Sequence, residues 1–286
     1  LMTDGQTRWT SPLFAGDKTP YTEFRNRDRR LYYTVPPPFK VVAPNLASSE
    51  WSFTNNVADR EYIDLMAQIS DSEHKTLPTN NWIGSVIQEP HYFDDKKGQA
   101  FNVTYTGYRL YKYANKISYL SGSDHNDAPI FRMGEVLANY AEAKFELGEF
   151  NQTIADQTIN KLRDREYIAH LNISAIPNDP TRDTTVDPVL WEIRRERAIE
   201  LMGEGFRWDD LRRWKKMSYV TEKKLGRWIK RSEVKKVPIQ NGASEGYIDY
   251  EGQPPVPYPE HYYLHPIPSD QIVLNPNIEQ NPGWTN

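Results

Sequence analysis

The stretch ERAIELMGEGFRWDDLRRWKK, residues 196–216, limits what this 286-residue chain can fold into more than any other. It continues a helix opened by Asp187 and Pro188, an N-cap followed by proline at the first helical position. Leu190, Ile193, Arg194, Arg197, Ala198 and Leu201 share one face at helical spacing. Two arginines therefore interrupt an apolar stripe, and an arginine taken out of water needs a paired carboxylate. Glu192, Glu196 and Glu200 stand at i, i+4 and i+8, and Glu142 sits inside a preceding helix, so partners are at hand. Gly203 and Gly205 then break the helix, and WDDLRRWKK restarts it.

Upstream, Met133, Val136, Leu137, Tyr140 and Ala141 form the stripe of another helix, which Gly148 stops. Asn151 caps a third, with Ile154, Ala155, Thr158, Ile159 and Leu162 on one face. Residues 141–165 thus read as a helical hairpin that resembles a tetratricopeptide unit. Residues 1–127 show no sustained helical period beyond a short helix near 59–68. VPPPF at 35–39 reads as extended, and 100–113 as a strand. After Met217 the sequence is irregular and proline-rich. The expected fold is mostly α: tetratricopeptide-like repeats in an αα superhelix, a large loop-rich subdomain and few short strands. Its parts are a ligand-facing 1–127, a helical 128–216, and a 217–286 that packs back on the helices.

Composition removes several functions. A net charge of −4 with both signs interspersed provides no basic field for nucleic acid, and no nucleic-acid-binding motif occurs. Without cysteine there is no disulfide, thiolate metal site or lipid-attachment thiol on this chain. No window approaches the ~18 apolar residues that span a bilayer, and the start, LMTDGQTRWT, is not a signal peptide. A chain that begins with Leu1 points to a processed form or a fragment.

Catalytic signatures are weak. Asp209 with Asp210, or Glu196 with Glu200, offers paired acids for glycosidase chemistry, but such pairs on a charged helix read as salt-bridge partners. The histidines show no zinc spacing; His261 and His265 are four apart, but Pro266 argues against a helix there. Serine-hydrolase, nucleotide and dinucleotide motifs are missing. The loop SGSDHNDAP, 121–129, offers oxygen ligands for calcium without EF-hand spacing, and a solvated turn is the simpler reading. Otherwise no cofactor is expected. Aromatics are plentiful before residue 110. Rings that stack on sugar C–H faces, flanked by Asn, Asp and Arg, make a glycan platform. Tyr32, Tyr33, Trp51, Trp82, Tyr92 and Phe93 are the candidate ligand contacts, with core packing the alternative for each.

RDRRLYYTV, TGYRLYKY, APIFRMGEVLANYAEAKFELGEF, INKLRDRE, LWEIRRERAIELMGEGFRWDDLRRWKK and LHPIPSDQIVLNPNIEQNPGW occur in this order along nearly the whole chain. Together they resemble the SusD/RagB family, glycan-capturing surface lipoproteins of Bacteroidota. The resemblance implies that Arg194, Glu196, Arg197, Glu200, Glu204, Arg207, Asp210 and Arg212 form a buried ion-pair lattice joining tetratricopeptide-like helices. It further implies non-catalytic capture of an oligosaccharide by variable loops, and delivery to a SusC-like TonB-dependent transporter for which the protein is a lid. The location would be the cell-surface face of the outer membrane, through a lipid anchor not present in this chain. Members carry further helical repeats before the region seen here, so the chain corresponds to a C-terminal half. It is then a fragment, or a second polypeptide supplies the rest. A peptide ligand, an interaction scaffold with buried Trp51 and Trp82, and a glycosidase are the rival expectations.

Overall fold

The computed structural model of the chain describes residues 1–35, 91–92, 103–108, 110, 112–113, 127, 129–232, 236–253 and 255–285. The fold is mostly helical with a few short strands. Helix α1 (Pro20–Phe24) is capped by the Thr19 hydroxyl and α2 (Arg29–Thr34) by the Asp28 carboxylate. Both lie in the segment expected to be irregular; at five and six residues they are too short to show a period. The helix expected near 59–68 and most of the extended 35–39 segment fall outside the described residues. In the strand expected over 100–113, the described extended residues are Val103–Thr104 (β2), which pair in parallel with His91–Tyr92 (β1). The Thr104 hydroxyl then accepts from the backbone of Thr106 and Gly107 and donates to the Tyr108 carbonyl, folding the chain into a turn.

Helix α3 (Met133–Glu146) ends at Gly148, whose φ of +70° suits a residue without a Cβ. The helix expected from Asn151 is two: α4 (Gln152–Gln157), capped by Asn151, and α5 (Ile159–Asp164). They part at Thr158 (φ −126°, ψ −87°), whose hydroxyl donates to the Ile154 carbonyl at 2.5 Å and competes with the helical ladder. Helix α6 (Pro188–Glu200) starts at Asp187, which accepts from Val189 and Leu190, and α7 (Phe206–Arg213) restarts after Gly205 at φ +88°. The C-terminal part is more regular than expected. It holds an antiparallel pair, β3 (Trp228–Lys230) with β4 (Glu245–Tyr247), and α8 (Ser269–Leu274) behind Pro268.

Two helices bury only part of the face that their apolar periodicity predicts. On α3, Gly134, Ala138, Ala141 and Glu142 are buried, while Met133, Val136 and Tyr140 of the apolar stripe are exposed. On α6 the buried set is Glu192, Ile193, Glu196, Arg197 and Glu200. Ala141 and Ile193 meet Ile159 and Leu171 in one apolar core. Beside it lies a network of charges that joins α2, α5 and α6. Glu196 is ion-paired with Arg30 Nη1 at 2.6 Å and accepts from Arg163 Nε at 3.0 Å. Glu200 meets Arg30 at 3.1 Å and Arg165 at 2.8 Å, and is bonded by Arg132. Arg30 is held in turn by Asp28 at 2.6 Å, and Arg163 reaches Glu192 at 3.5 Å. Arg163, Glu192, Glu196 and Glu200 are each 2% exposed or less. Gly134 makes room: a Cβ there would stand 2.4 Å from Glu200 Oε1.

A second network fixes α7. Arg197 Nε donates to Asp210 at 2.7 Å and its Nη1 to Asn139 at 2.7 Å. Arg213 bridges Asp210 and Glu142, and Glu142 also accepts from the Trp214 indole at 2.5 Å. Arg197→Ala removes one of the two cations on the buried Asp210 carboxylate, together with the bond to Asn139, so it should cost ~3–5 kcal/mol in urea unfolding; a loss below ~0.5 kcal/mol would contradict a paired, buried arginine. Burial alone would raise the Glu200 carboxyl, but Arg165, Arg132 and Arg30 outweigh it and hold it down at about 2, against an ordinary 4.5. A lowered folded value gives stability that is present above about pH 4.5 and lost as pH falls toward 2. The destabilisation caused by Glu200→Gln should therefore be about 3 kcal/mol larger at pH 7 than at pH 2. An equal loss at both pH values would show that Glu200 is not held by these cations.

Candidate functional site

The residues predicted from sequence divide. Tyr32 is corrected: it is 3% exposed, and its hydroxyl donates to the Phe24 carbonyl beneath α1 and α2. A ring packed at 6.2 Å from Phe24 belongs to the core and is not presented to a ligand. Tyr33 lies on α2 and Tyr92 on β1. Trp51, Trp82 and Phe93 lie outside the described residues, as does nearly all of the calcium-type loop at 121–129. Among the described residues there is no cluster of three acidic or histidine side chains that would hold a metal.

Of the eight lattice candidates, Glu196, Arg197, Glu200 and Asp210 are buried and ion-paired. Glu204 closes the rim of the network through Arg132 at 2.5 Å and Lys112. Arg194 stacks on Trp214 at 4.5 Å and stands 3.9 Å from Glu142. Two do not join. Arg207 is exposed, and Arg212 donates to His265 at 2.8 Å and to the Tyr263 carbonyl at 2.9 Å. Residues outside the eight complete the network: Asp28, Arg30, Arg132, Arg163 and Arg165. Their signal in sequence is an arginine-dense RDRR at 27–30 and RDR at 163–165 with too few local acids to pair them.

The paired acids are not placed as acid and base. Both members of each pair would have to face a common substrate, yet Glu196, Glu200 and Asp210 are buried in arginine contacts. Asp209 is exposed beside them.

An open aromatic shelf lies elsewhere, between α7 and the C-terminal segment. Trp208, Tyr258, Tyr262 and Trp284 line a shallow cavity of about 560 Å³. Tyr262 and Trp284 are nearly parallel, 12° apart with centroids at 5.2 Å. Tyr258 stands edge-on to Trp208 at 6.0 Å and to Tyr262 at 5.7 Å. Trp208 is 50% and Tyr262 43% exposed, so ring faces meet solvent. Arg212 and His265 supply polar groups at the rim.

The shelf is held rigid by proline and by side-chain straps. Pro259 starts the short 3-10 turn Glu260–Tyr263 that carries Tyr262. The Trp284 indole donates to the carbonyls of His261 and Leu264, both at 3.0 Å. Gln280 exchanges bonds with both backbone groups of Ile267, and Asn281 donates to the His265 carbonyl at 2.6 Å. Sequence reasoning passed over this tail because it lacks a period. The available signal was VPYPEHYY, aromatic rings spaced by prolines, with a tryptophan near the C-terminus.

A second cleft opens on the other side of Arg207, with a volume of about 890 Å³ between the loop Thr181–Thr184, Trp191 and Tyr219. Asp183 there accepts from Lys216 at 2.7 Å, Tyr219 at 2.5 Å and the Thr185 hydroxyl at 2.6 Å. Burial would raise this carboxyl, but these donors hold it well below the usual range.

Similarity to known proteins decides the family. The model of the SusD family matches residues 1–284. The chain belongs to the SusD family. It is 29% identical over 147 residues to SusD-like protein P38 of Formosa agariphila, across 44% of this chain and 28% of that protein. In fold it is similar to a SusD-like protein of Bacteroides fragilis (TM-score 0.60, 20% identity, 99% of this chain and 45% of that one). A SusD-like carbohydrate-binding protein of the same species gives a TM-score of 0.53 at 22% identity, over 98% of this chain and 46% of that one. This SusD-family chain thus spans less than half the length of these relatives.

The packing at Gly283 offers a test of the shelf. Its φ is +85° and an added Cβ would stand 2.5 Å from the His261 Cβ, so Gly283→Ala should displace Trp284 from Tyr262. Near-ultraviolet circular dichroism should change while the far-ultraviolet helix signal stays. Unchanged aromatic bands would mean that the two rings are not stacked in solution.

Proposed function

We propose that the chain captures an oligosaccharide without cleaving it and works with a SusC-like TonB-dependent transporter at the outer surface of the outer membrane. The observation that carries this reading is the aromatic shelf: solvent-facing rings on a rigid support, in a chain of the SusD family. Stacking on sugar C–H faces needs flat apolar surfaces fixed in advance, because each ring ordered on binding would subtract from affinity. Capture needs no proton transfer, and Glu196, Glu200 and Asp210 are engaged in ion pairs with arginines. A solved SusD-like relative described as carbohydrate binding supports the same class of ligand. No described helix is long and apolar enough to cross a membrane, so retention at a surface would rest on an anchor or a partner. The additional length of the relatives would correspond to further polypeptide, on this chain's natural form or on a second chain, that completes the binding surface.

Calorimetry and affinity electrophoresis of the chain against a panel of neutral and acidic polysaccharides test the reading. Trp208→Ala and Tyr262→Ala should each weaken binding by about 1 kcal/mol, several-fold in Kd. No reducing sugar should be released over hours. Binding that is indifferent to both substitutions would remove the shelf from the site, and release of reducing ends would replace capture with hydrolysis.

A further inference from the structure

About half of the described arginines stand within 4 Å of a carboxylate. Arg30, Arg163 and Arg197 do so buried in the fold, and Arg132, Arg165 and Arg213 nearer its surface. Arg182 and Arg207 are among those that do not, and they share one site. Both line the 890 Å³ cleft beside Trp191, and among the described residues neither forms an ion pair. Arg207 contacts the Trp214 ring at 5.7 Å and lies near Asp210, whose two oxygens are already taken by Arg197 and Arg213. The acids of the cleft are also spoken for. Asp183 is saturated by Lys216, Tyr219 and Thr185, and Glu222 pairs with Lys224 at 2.9 Å. The Trp191 indole N–H is buried without an acceptor. The cleft therefore holds a surplus of donors and of positive charge.

Its position relative to the shelf follows from helix geometry. Arg207 and Leu211 of α7 face the cleft, while Trp208 and Arg212 face the shelf. At 3.6 residues per turn the two pairs lie about 100° apart around one short helix. Asp210, Arg213 and Trp214 lie on the side of α7 away from Trp208 and Arg212, where they tie the helix to the lattice. One extended ligand lying across α7 would touch both sides.

Resting on the capture reading, we infer that the cleft takes a sugar residue bearing an oxyanion, with Arg182 and Arg207 as the recognition groups and the shelf stacking the adjoining residues. A planar guanidinium presents paired N–H donors that fit a carboxylate or a sulfate ester. Both substituents have this chemistry, and the ligand class is an acidic oligosaccharide.

The test uses calorimetry on the full chain with three probes: an oligogalacturonate, the same oligosaccharide with its carboxylates reduced to alcohols, and a sulfated galactan oligosaccharide. The acidic form should bind about ten-fold tighter than its reduced counterpart, and the difference should shrink as salt rises. Arg182→Ala and Arg207→Ala should each remove most of that preference while leaving affinity for the reduced form unchanged. Trp208→Ala should weaken both forms alike. Because neither arginine is ion-paired, thermal unfolding of the variants should match the parent; Arg207→Gln serves if the alanine variant is unstable. Tighter binding of the sulfated probe than of the uronate would identify the anion as a sulfate ester. Equal affinity for acidic and reduced forms, or a preference that survives both substitutions, overturns the inference and leaves capture standing. No binding by any probe or by the wider polysaccharide panel overturns capture, and the inference with it.

Discussion

The pairing of Glu196 and Glu200 with arginines from three other segments is the constraint on which the rest depends. Arg30, Arg163, Arg165 and Arg132 come from positions far apart in the chain and converge on two neighbouring turns of α6. Ion pairs of this burial are poor contributors of net stability, since desolvation opposes their attraction. They are strongly directional, however. An apolar face tolerates slippage by a turn, whereas a carboxylate shared by two or three guanidiniums accepts one register. The lattice thus fixes how α2, α3 and α5 sit on α6, and the small residues Gly134, Ala138 and Ala141 are what let α3 approach so closely.

This explains which parts of the fold were legible. Helix boundaries were: Asp187 with Pro188, Asn151, Gly148 and Gly205 act through local backbone chemistry and need no tertiary partner. Helix faces were legible in part: Ala141, Ile193 and Arg197 lie inward as their stripes require, and Glu196 and Glu200 as the resemblance implied. Periodicity of apolar residues assumes that charge means solvent, and α6 reverses this by burying Glu192, Glu196 and Glu200. The same assumption assigned Met133, Val136 and Tyr140 to a core they do not enter. A better guide on α3 was size, since the buried residues are mostly glycine and alanine.

The candidate site was less legible still. An aromatic side chain carries no mark of whether it will fill a core or face a ligand, and Tyr32 and Tyr262 illustrate the two outcomes within one sequence. Tyr32 sits on a short helix against Phe24, with its hydroxyl satisfied by a carbonyl. Tyr262 follows Pro259 in a surface turn and stacks face-on against Trp284. The family resemblance was legible because it rests on the order of many weak segments. The shelf was not, because it joins Trp208 to residues fifty and more positions away.

Scaffold and site meet on α7, and the connection is mechanical. Asp210, Arg213 and Trp214 tie one side of this eight-residue helix to Arg197 and Glu142. A helix so short has little stability of its own, so its orientation is set almost wholly by those contacts. With that side fixed, Arg207 and Trp208 are forced outward in a defined direction, one toward each cleft. The charges that looked like an active site in the sequence therefore act at one remove: they hold still the residues that can meet a ligand. Loss of the Arg197 to Asp210 contact would unsettle both clefts together, even though neither residue lines them.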